Sequence, residues 1–162
     1  LFRSEADAVV LAAGSWASEL SVGEAASGGP AVRPIRGQLL QLRFDARPCS
    51  HVVWGHDCYL VPWQDGTVLF GATVEDVGFD EHATVGGVTQ LLRSLGRLLA
   101  ESTTARFEAV RVGLRPLTRD ELPLIGPSAT RPGVFYATGH YRNGILLAPF
   151  TARAVEIGRA HV

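Results

Sequence analysis

The sequence predicts an α+β fold: a mostly antiparallel sheet with helices, flanked at both ends by pieces of a parallel α/β layer. Three observations predict it. The chain opens on a run that is apolar on both alternating faces, continues as a meander of strands joined by turn residues, and ends in apolar stretches of helical period.

Ala8-Val9-Val10-Leu11-Ala12-Ala13 reads as a strand covered on two sides, the usual state of a strand in a parallel sheet. Its neighbours are expected from outside this sequence. Gly14-Ser15 then leads into a short helix over 16–20, with Ser15 as the expected cap. Residues 21–30, small and Gly-rich, form a loop. Next, Leu40, Leu42 and Phe44 alternate with Gln41 and Arg43, giving a strand over 38–44. Apolar and aromatic residues at 51–63 and 67–74 flank Gln64-Asp65-Gly66, a strong hairpin signal. At 84–102 the period becomes helical: Val88, Leu91, Leu92, Leu95, Leu98 and Leu99 share a face and Thr84 can cap it. Strands return at 107–114 and 134–138. A final helix starts near Gly144, with Leu146, Leu147, Phe150, Ala154 and Ile157 as its expected buried face; Pro149 is tolerated only near its start.

At 162 residues the chain can bury one ordinary core. Its net charge of −1 and 46% hydrophobic content describe a globular protein without a basic stripe, which argues against nucleic acid as a partner. All 15 basic residues are Arg. The chain has no Met and opens at Leu1, so it reads as a piece of a longer polypeptide. Cys49 and Cys58 are too few for a disulfide framework and read as buried free thiols. No stretch is long enough to span a membrane and no leader opens the chain, so the expected location is the cytoplasm. His51, His56, Asp57 and Cys58 do not make a metal site: His56 and Cys58 share a strand face, Asp57 points away, and no further ligand pair has a usable spacing. A serine-hydrolase elbow is absent.

Three segments can carry chemistry. Ala12-Ala13-Gly14-Ser15-Trp16 ends a buried strand, where open α/β sheets bind ligands; ordinary packing explains it as well. Gly113-Leu114-Arg115-Pro116 puts a guanidinium on an apolar strand with Pro116 barring a helical turn, which suits bidentate capture of a carboxylate. The plain alternative is a surface Arg paired with Asp120 or Glu121. Gly139-His140-Tyr141-Arg142-Asn143-Gly144-Ile145-Leu146 precedes an apolar helix, so free backbone N–H groups collect where negative charge could develop. Its plain alternative is a helix start capped by Asn143.

Together the motifs resemble the flavin-dependent D-amino-acid oxidase superfamily, and the glycine oxidases within it. They are the strand ending Ala-Gly-Ser-Trp, Arg36-Gly37-Gln38, Tyr59-Leu60-Val61-Pro62, Gly71-Ala72-Thr73, Gly-Leu-Arg-Pro with Asp-x-x-Pro-x-Ile-Gly, and Gly-His-Tyr-Arg-Asn-Gly-Ile-Leu-Leu-Ala-Pro. They stand in family order over nearly the whole chain. The resemblance implies FAD as cofactor, with hydride passing from the substrate α-carbon to flavin N5 and water hydrolysing the imine. It makes Arg115, Tyr59 and Arg142 the candidate catalytic residues: Arg115 pairs with the substrate carboxylate, Tyr59 hydrogen-bonds to it, and Arg142 lies beside substrate or flavin. Ala13, Gly14 and Trp16 would contact the ribityl and diphosphate portion; Gly139, Arg142, Asn143, Gly144, Ile145 and Leu146 would line the isoalloxazine. Two positions depart from the glycine oxidase pattern: Asp57 stands where a His is usual and Val74 where a Met is usual, and both would line the substrate pocket.

The resemblance divides the chain into part of an FAD-binding domain at 1–30, an antiparallel substrate-binding domain at 31–112, and a return to the FAD-binding domain at 113–162. The Gly-x-Gly-x-x-Gly half is absent from this sequence. Its implied partners are a small amine or amino-acid substrate, the missing dinucleotide-binding portion and, as an open option, further copies of itself. The implied activity is oxidative deamination of glycine, another small amine or a D-amino acid, linked by resemblance to thiamine synthesis. The alternatives are a non-catalytic fragment or partner-binding half whose docking edge is the first strand, and a sarcosine or other secondary-amine oxidase.

Overall fold

A computed structural model describes residues 6–20 and 29–160. In chain order its elements are β1 (Val9–Leu11), a 3₁₀ turn (Gly14–Ser18), β2 (Val32–Arg43), β3 (Val53–Trp54), β4 (Tyr59–Pro62), β5 (Thr67–Gly71), α1 (Val85–Leu98), a second 3₁₀ turn (Ala100–Thr104), β6 (Arg106–Thr118), β7 (Leu124–Pro127), β8 (Val134–Thr138) and α2 (Gly144–Ala160). The fold is α+β and mostly antiparallel, as the sequence predicts. It divides into two compact units, one of residues up to Pro34 together with Arg115 onward, the other Ile35–Leu114. The boundaries fall inside β2 and inside β6. Most of the predicted loop at 21–30 lies outside the described residues. No helix of the described residues is long and apolar enough to cross a membrane.

The Ile35–Leu114 unit is built on a five-stranded sheet of order β3-β4-β5-β2-β6. Period-two alternation fixes its register. Leu40 sits opposite Phe70 and Leu42 opposite Val68, while Phe70 also faces Leu60 from β4. All five are buried, and Leu91 and Leu95 of α1 close the core over them. At about 1.5–3 kcal/mol for each fully buried large apolar side chain, this layer holds the unit together. Residues 51–63, expected as one strand, form two. A turn at Gly55–Cys58, closed by the Gly55 N–H to the Cys58 carbonyl at 2.8 Å, folds β3 back onto β4. The β4–β5 hairpin forms as predicted: the Asp65 carboxylate accepts the Thr67 N–H at 2.9 Å, and Gly66 takes φ +83°.

Helix α1 starts where its cap predicts, Thr84 Oγ1 accepting the Gly87 N–H at 3.1 Å. It ends at Leu98 rather than running to 102, because Leu99 is extended and the 3₁₀ turn follows. Leu92, expected on the buried face, is 46% exposed, and Ser94 is buried instead. Gly87 is there for space: a side chain would run into the Gln38 amide, which reaches Thr84 Oγ1 at 3.0 Å and accepts the Thr84 N–H at 2.9 Å.

The other unit corrects four expectations. The neighbour of β1 comes from this chain: β1 pairs in parallel with β8, Val9 to Val134 through Leu11 to Tyr136. β8 in turn pairs antiparallel with β7, a short strand that the sequence pattern did not reveal. β1 is an edge strand and Val9 and Val10 are about two-fifths exposed, so it is not covered on both faces. Ser15 is not a cap. It is buried inside the 3₁₀ turn, whose preceding residue Ala13 makes no side-chain cap. On α2 the buried positions are Thr151 and Val155, whereas Leu146, Phe150 and Ile157 are 79%, 65% and 51% exposed. The helix is apolar around more than one face, so periodicity could not choose the inner one.

Replacing Thr84 by Ala is expected to cost about 1–2 kcal/mol in urea unfolding, through the lost cap and its bond to Gln38. Leu92→Ala should change stability by less than about 0.5 kcal/mol. A cost at Leu92 equal to that at Thr84 would overturn this assignment of the helix's inner face.

Candidate functional site

Parallel pairing brings the carboxyl ends of β1 and β8 to one edge, the place where open α/β sheets hold ligands. The two ends are tied by the Thr138 hydroxyl, which donates to the Gly14 carbonyl at 2.8 Å. After β1, Gly14 takes φ +56°, the Trp16 N–H bonds back to the Ala13 carbonyl at 3.1 Å, and the Trp16 ring is 43% exposed. After β8, Gly139 takes φ +77°, and a Cβ there would lie 2.5 Å from the Thr118 methyl. Conformation and space both require glycine at that point.

From Gly139 the chain turns into α2. The Asn143 N–H bonds to the His140 carbonyl at 2.9 Å, and the Leu147 N–H to the Asn143 carbonyl at 2.8 Å. The amides of Gly144, Ile145 and Leu146 therefore precede the first intrahelical bond and carry the positive end of the helix dipole. Around them the surface is open: Ile145 is 95% exposed and Leu146 79%. Arg142 is exposed and its guanidinium lies 5.2 Å over the Tyr141 ring.

The strand carrying Arg115 reaches the same loop. The Tyr141 N–H bonds to the Pro116 carbonyl at 2.9 Å, and Leu117 bridges to His140. The half-buried Arg115 is thus one residue from a direct backbone bond to the segment that opens α2. These residues, Ala13, Gly14, Trp16, Arg115 and 139–146, all belong to one unit.

Tyr59, Asp57 and Val74 belong to the other. Tyr59 opens β4 opposite both Gly71 and Trp54, with the Trp54 ring 5.3 Å away at a 44° tilt. The Asp57 carboxylate accepts a long 3.4 Å bond from Ser94 of α1. Val74 is half exposed and lies between two residues clamped to β2. On one side Gln38 N–H bonds to Thr73 Oγ1 at 2.8 Å; on the other Arg36 and Glu75 exchange backbone bonds at 2.8 and 2.9 Å.

Arg36-Gly37-Gln38, a signature in the sequence, has a structural task. The Arg36 guanidinium, 4% exposed, meets Glu75 and Asp80 at 2.6 Å each and donates to the His82 carbonyl at 3.0 Å. The Glu75 carboxyl is penalised by burial, yet the bonds from Arg36, Thr73 and Gln38 hold it below the usual carboxylate range. The Asp80 carboxyl is pulled down to about 2, first by the His82 N–H and ring and then by Arg36. The Thr138 bond to Gly14 follows from a visible signal, a hydroxyl ending an apolar strand, whereas nothing in the sequence marks Trp54 as a neighbour of Tyr59.

The donor set at the mouth of α2 fits the polar edge of a flat, electron-rich ring: backbone amides from a helix start, flanked by exposed aliphatic side chains. A nucleotide-binding turn is not found among the described residues.

The family described as FAD dependent oxidoreductase matches residues 2–156. A bifunctional protein ThiO/ThiG of Nostoc sp. is 41% identical over 154 residues, 93% of this chain but 22% of that protein. A crystal structure of glycine oxidase from Geobacillus kaustophilus superposes with a TM-score of 0.83 at 36% identity, covering 94% of this chain and 41% of that one. A crystal structure of iminodiacetate oxidase from Chelativorans sp. does so with a TM-score of 0.86 at 25% identity, covering 98% and 43%. The chain therefore spans less than half the length of these relatives.

The Asp80 clamp predicts an acid limit. A carboxyl whose folded value lies near 2 against an ordinary 3.8 stabilises the fold above about pH 4 and loses that contribution as pH falls toward 2. Between those values, the thermal midpoint of wild type should fall more steeply than that of Asp80→Asn. Equal slopes would show that Asp80 carries none of the acid dependence.

Proposed function

The chain belongs to the FAD-dependent oxidoreductase family, and on that premise we propose that it supplies the substrate-gripping and ring-facing part of an amine oxidase acting on glycine, another small amine or a D-amino acid. The observation that carries the reading is the bond from the Tyr141 amide to the Pro116 carbonyl. It joins a guanidinium suited to a carboxylate to a mouth of amides suited to a reduced ring. FAD, when bound, supplies the redox chemistry by accepting hydride from the substrate α-carbon at N5.

In this reading Arg115 grips the substrate carboxylate through paired N–H donors and so orients the α-carbon. The amides of Gly144, Ile145 and Leu146 would hold the polar edge of the flavin ring and stabilise negative charge there. Gly139 and Asn143 shape the approach to the ring, and Arg142 adds a cation beside it. Ala13, Gly14 and Trp16 serve the ribityl and diphosphate portion. Tyr59 contributes a hydroxyl to the carboxylate, and Asp57 with Val74 sets which amines are accepted. No side-chain base is needed for hydride transfer from a neutral amine.

The dinucleotide-binding portion comes from the polypeptide beyond this chain, within the share of the relatives that it does not span. The open edge of β1 and the outer apolar side of α2 at Ile145, Leu146, Phe150 and Ile157 suit such a cover. A colourless, non-catalytic half that docks on a separate subunit is the reading this one competes with. The likeness to iminodiacetate oxidase favours a second substrate class, secondary amines. The Asp57 and Val74 departures bear on that choice, as does a role near thiamine synthesis.

The test is anaerobic reduction of the flavin-loaded full polypeptide, followed as bleaching of its yellow absorbance by glycine, sarcosine and iminodiacetate. Arg115→Leu should raise the half-saturating amine concentration roughly a hundredfold, as loss of a bidentate charged contact does, with little change in FAD content. Bleaching by the same concentrations in the variant would remove Arg115 from the site. Absence of yellow colour in the full polypeptide would remove the oxidase reading altogether.

A further inference from the structure

His140 has no part in the reading above, yet three elements of its unit meet in it. Its backbone bridges to Leu117 at the end of β6, and its carbonyl closes the turn into α2 by accepting the Asn143 N–H. Its ring Nε2 lies 2.8 Å from Thr151 Oγ1, two turns into α2. Thr151 is 7% exposed, on the inward face of the helix near Leu147 and Val155, where an apolar residue would pack as well. A hydroxyl buried there needs a partner, and His140 is that partner.

The ring is placed to stay neutral. Burial pushes the imidazole below its ordinary 6.5, with no charged side chain contributing. The groups that meet it, Leu117 from β6 and Thr151 and Gly144 from α2, carry no charge. Of the charged groups nearest to it along those elements and the adjoining loops, Arg115, Arg119, Arg142 and Arg153 are cations and Asp120, Glu121 and Glu156 are anions. None of them shifts the imidazole, whose lowered value comes from burial alone.

We propose that neutral His140 is a positioning residue: through Thr151 it sets the amide mouth of α2 against the strand end that carries Arg115, and so tunes the hold of that mouth on the flavin ring. The second clause rests on the flavin reading given above; the first does not. His140 touches neither ring nor substrate in this account and acts through the helix.

Burial of the half-buried ring disfavours its protonation, so the mouth should loosen as pH falls below 6.5 and stay level above it. The test follows the full polypeptide by NMR with labelled histidine and backbone amides, alongside FAD affinity by fluorescence, in wild type, His140→Gln and Thr151→Val. Gln offers Thr151 a bonding group that does not titrate, and Val keeps the volume of Thr without its hydroxyl. In wild type the Gly139 and Gly144 amide resonances should move with the His140 imidazole, at a midpoint below 6.5, and FAD affinity should fall across the same range. In His140→Gln both should stay level, with affinity at pH 7.5 within about twofold of wild type. Thr151→Val should weaken FAD roughly three- to tenfold at pH 7.5, as loss of one buried neutral hydrogen bond does.

Amides that ignore the imidazole titration, or that still titrate in His140→Gln, would overturn the proposal even if FAD binds well. Amides that follow the titration in a protein that never binds FAD would support the positioning role and overturn the flavin reading instead.

Discussion

The hydrogen bond from the Tyr141 amide to the Pro116 carbonyl joins residues far apart in the chain and organises its unit. Pro116 cannot donate and forces its predecessor to be extended, so Arg115 enters the bond's neighbourhood on a fixed strand. Tyr141 takes φ +50° to present its amide, and Gly139 at φ +77° turns the chain so that it can. The same bond flanks the antiparallel bridge that sets Leu117 opposite His140. Remove this pairing and the start of α2 has no fixed relation to the strand. Chemistry that needs a cation for an acid group and amides for a charged ring depends on that relation more than on either group alone.

The second unit solves a different problem, that of holding a loop still beside an apolar core. Arg36 is almost wholly buried, which is tolerable because two carboxylates and a carbonyl meet its guanidinium. Gln38, fully buried, uses its amide on both sides, donating to Glu75 and Thr84 and accepting from the Thr84 amide. One residue thereby joins β2, the 73–75 segment and the cap of α1. Such a lattice leaves Val74 little freedom, since Thr73 and Glu75 on either side of it are both fastened.

The elements most legible in the sequence were those whose pattern has one physical solution. Leu40, Leu42 and Phe44 alternate and are buried; Asp65-Gly66 makes a hairpin; Thr84 caps a helix. Illegible were features set by partners distant in the chain. β7 is four residues long, too short for its alternation to stand out, and is made a strand by pairing with β8. The inner face of α2 is not legible because Leu146 and Phe150 are as apolar as Leu147 and Val155, and composition does not say which side meets the sheet. At the site, Gly139 and the start of α2 were visible as glycine-bracketed polar residues. The Thr151 partner of His140, eleven positions on, was not, since a threonine inside a helix carries no signal of its own.

Pro149 lies inside α2, five residues beyond its first. Lacking an N–H, it leaves the Ile145 carbonyl without the helical donor that position would normally supply. The opening turn therefore has one rung fewer than its neighbours, and an acceptor stands within a cluster of donors. Stiffness in this turn has to be borrowed from the surrounding loop and strand rather than generated by the helix. Amide deuterium uptake should in consequence be fastest there, and slower one turn further along, where the ladder is complete.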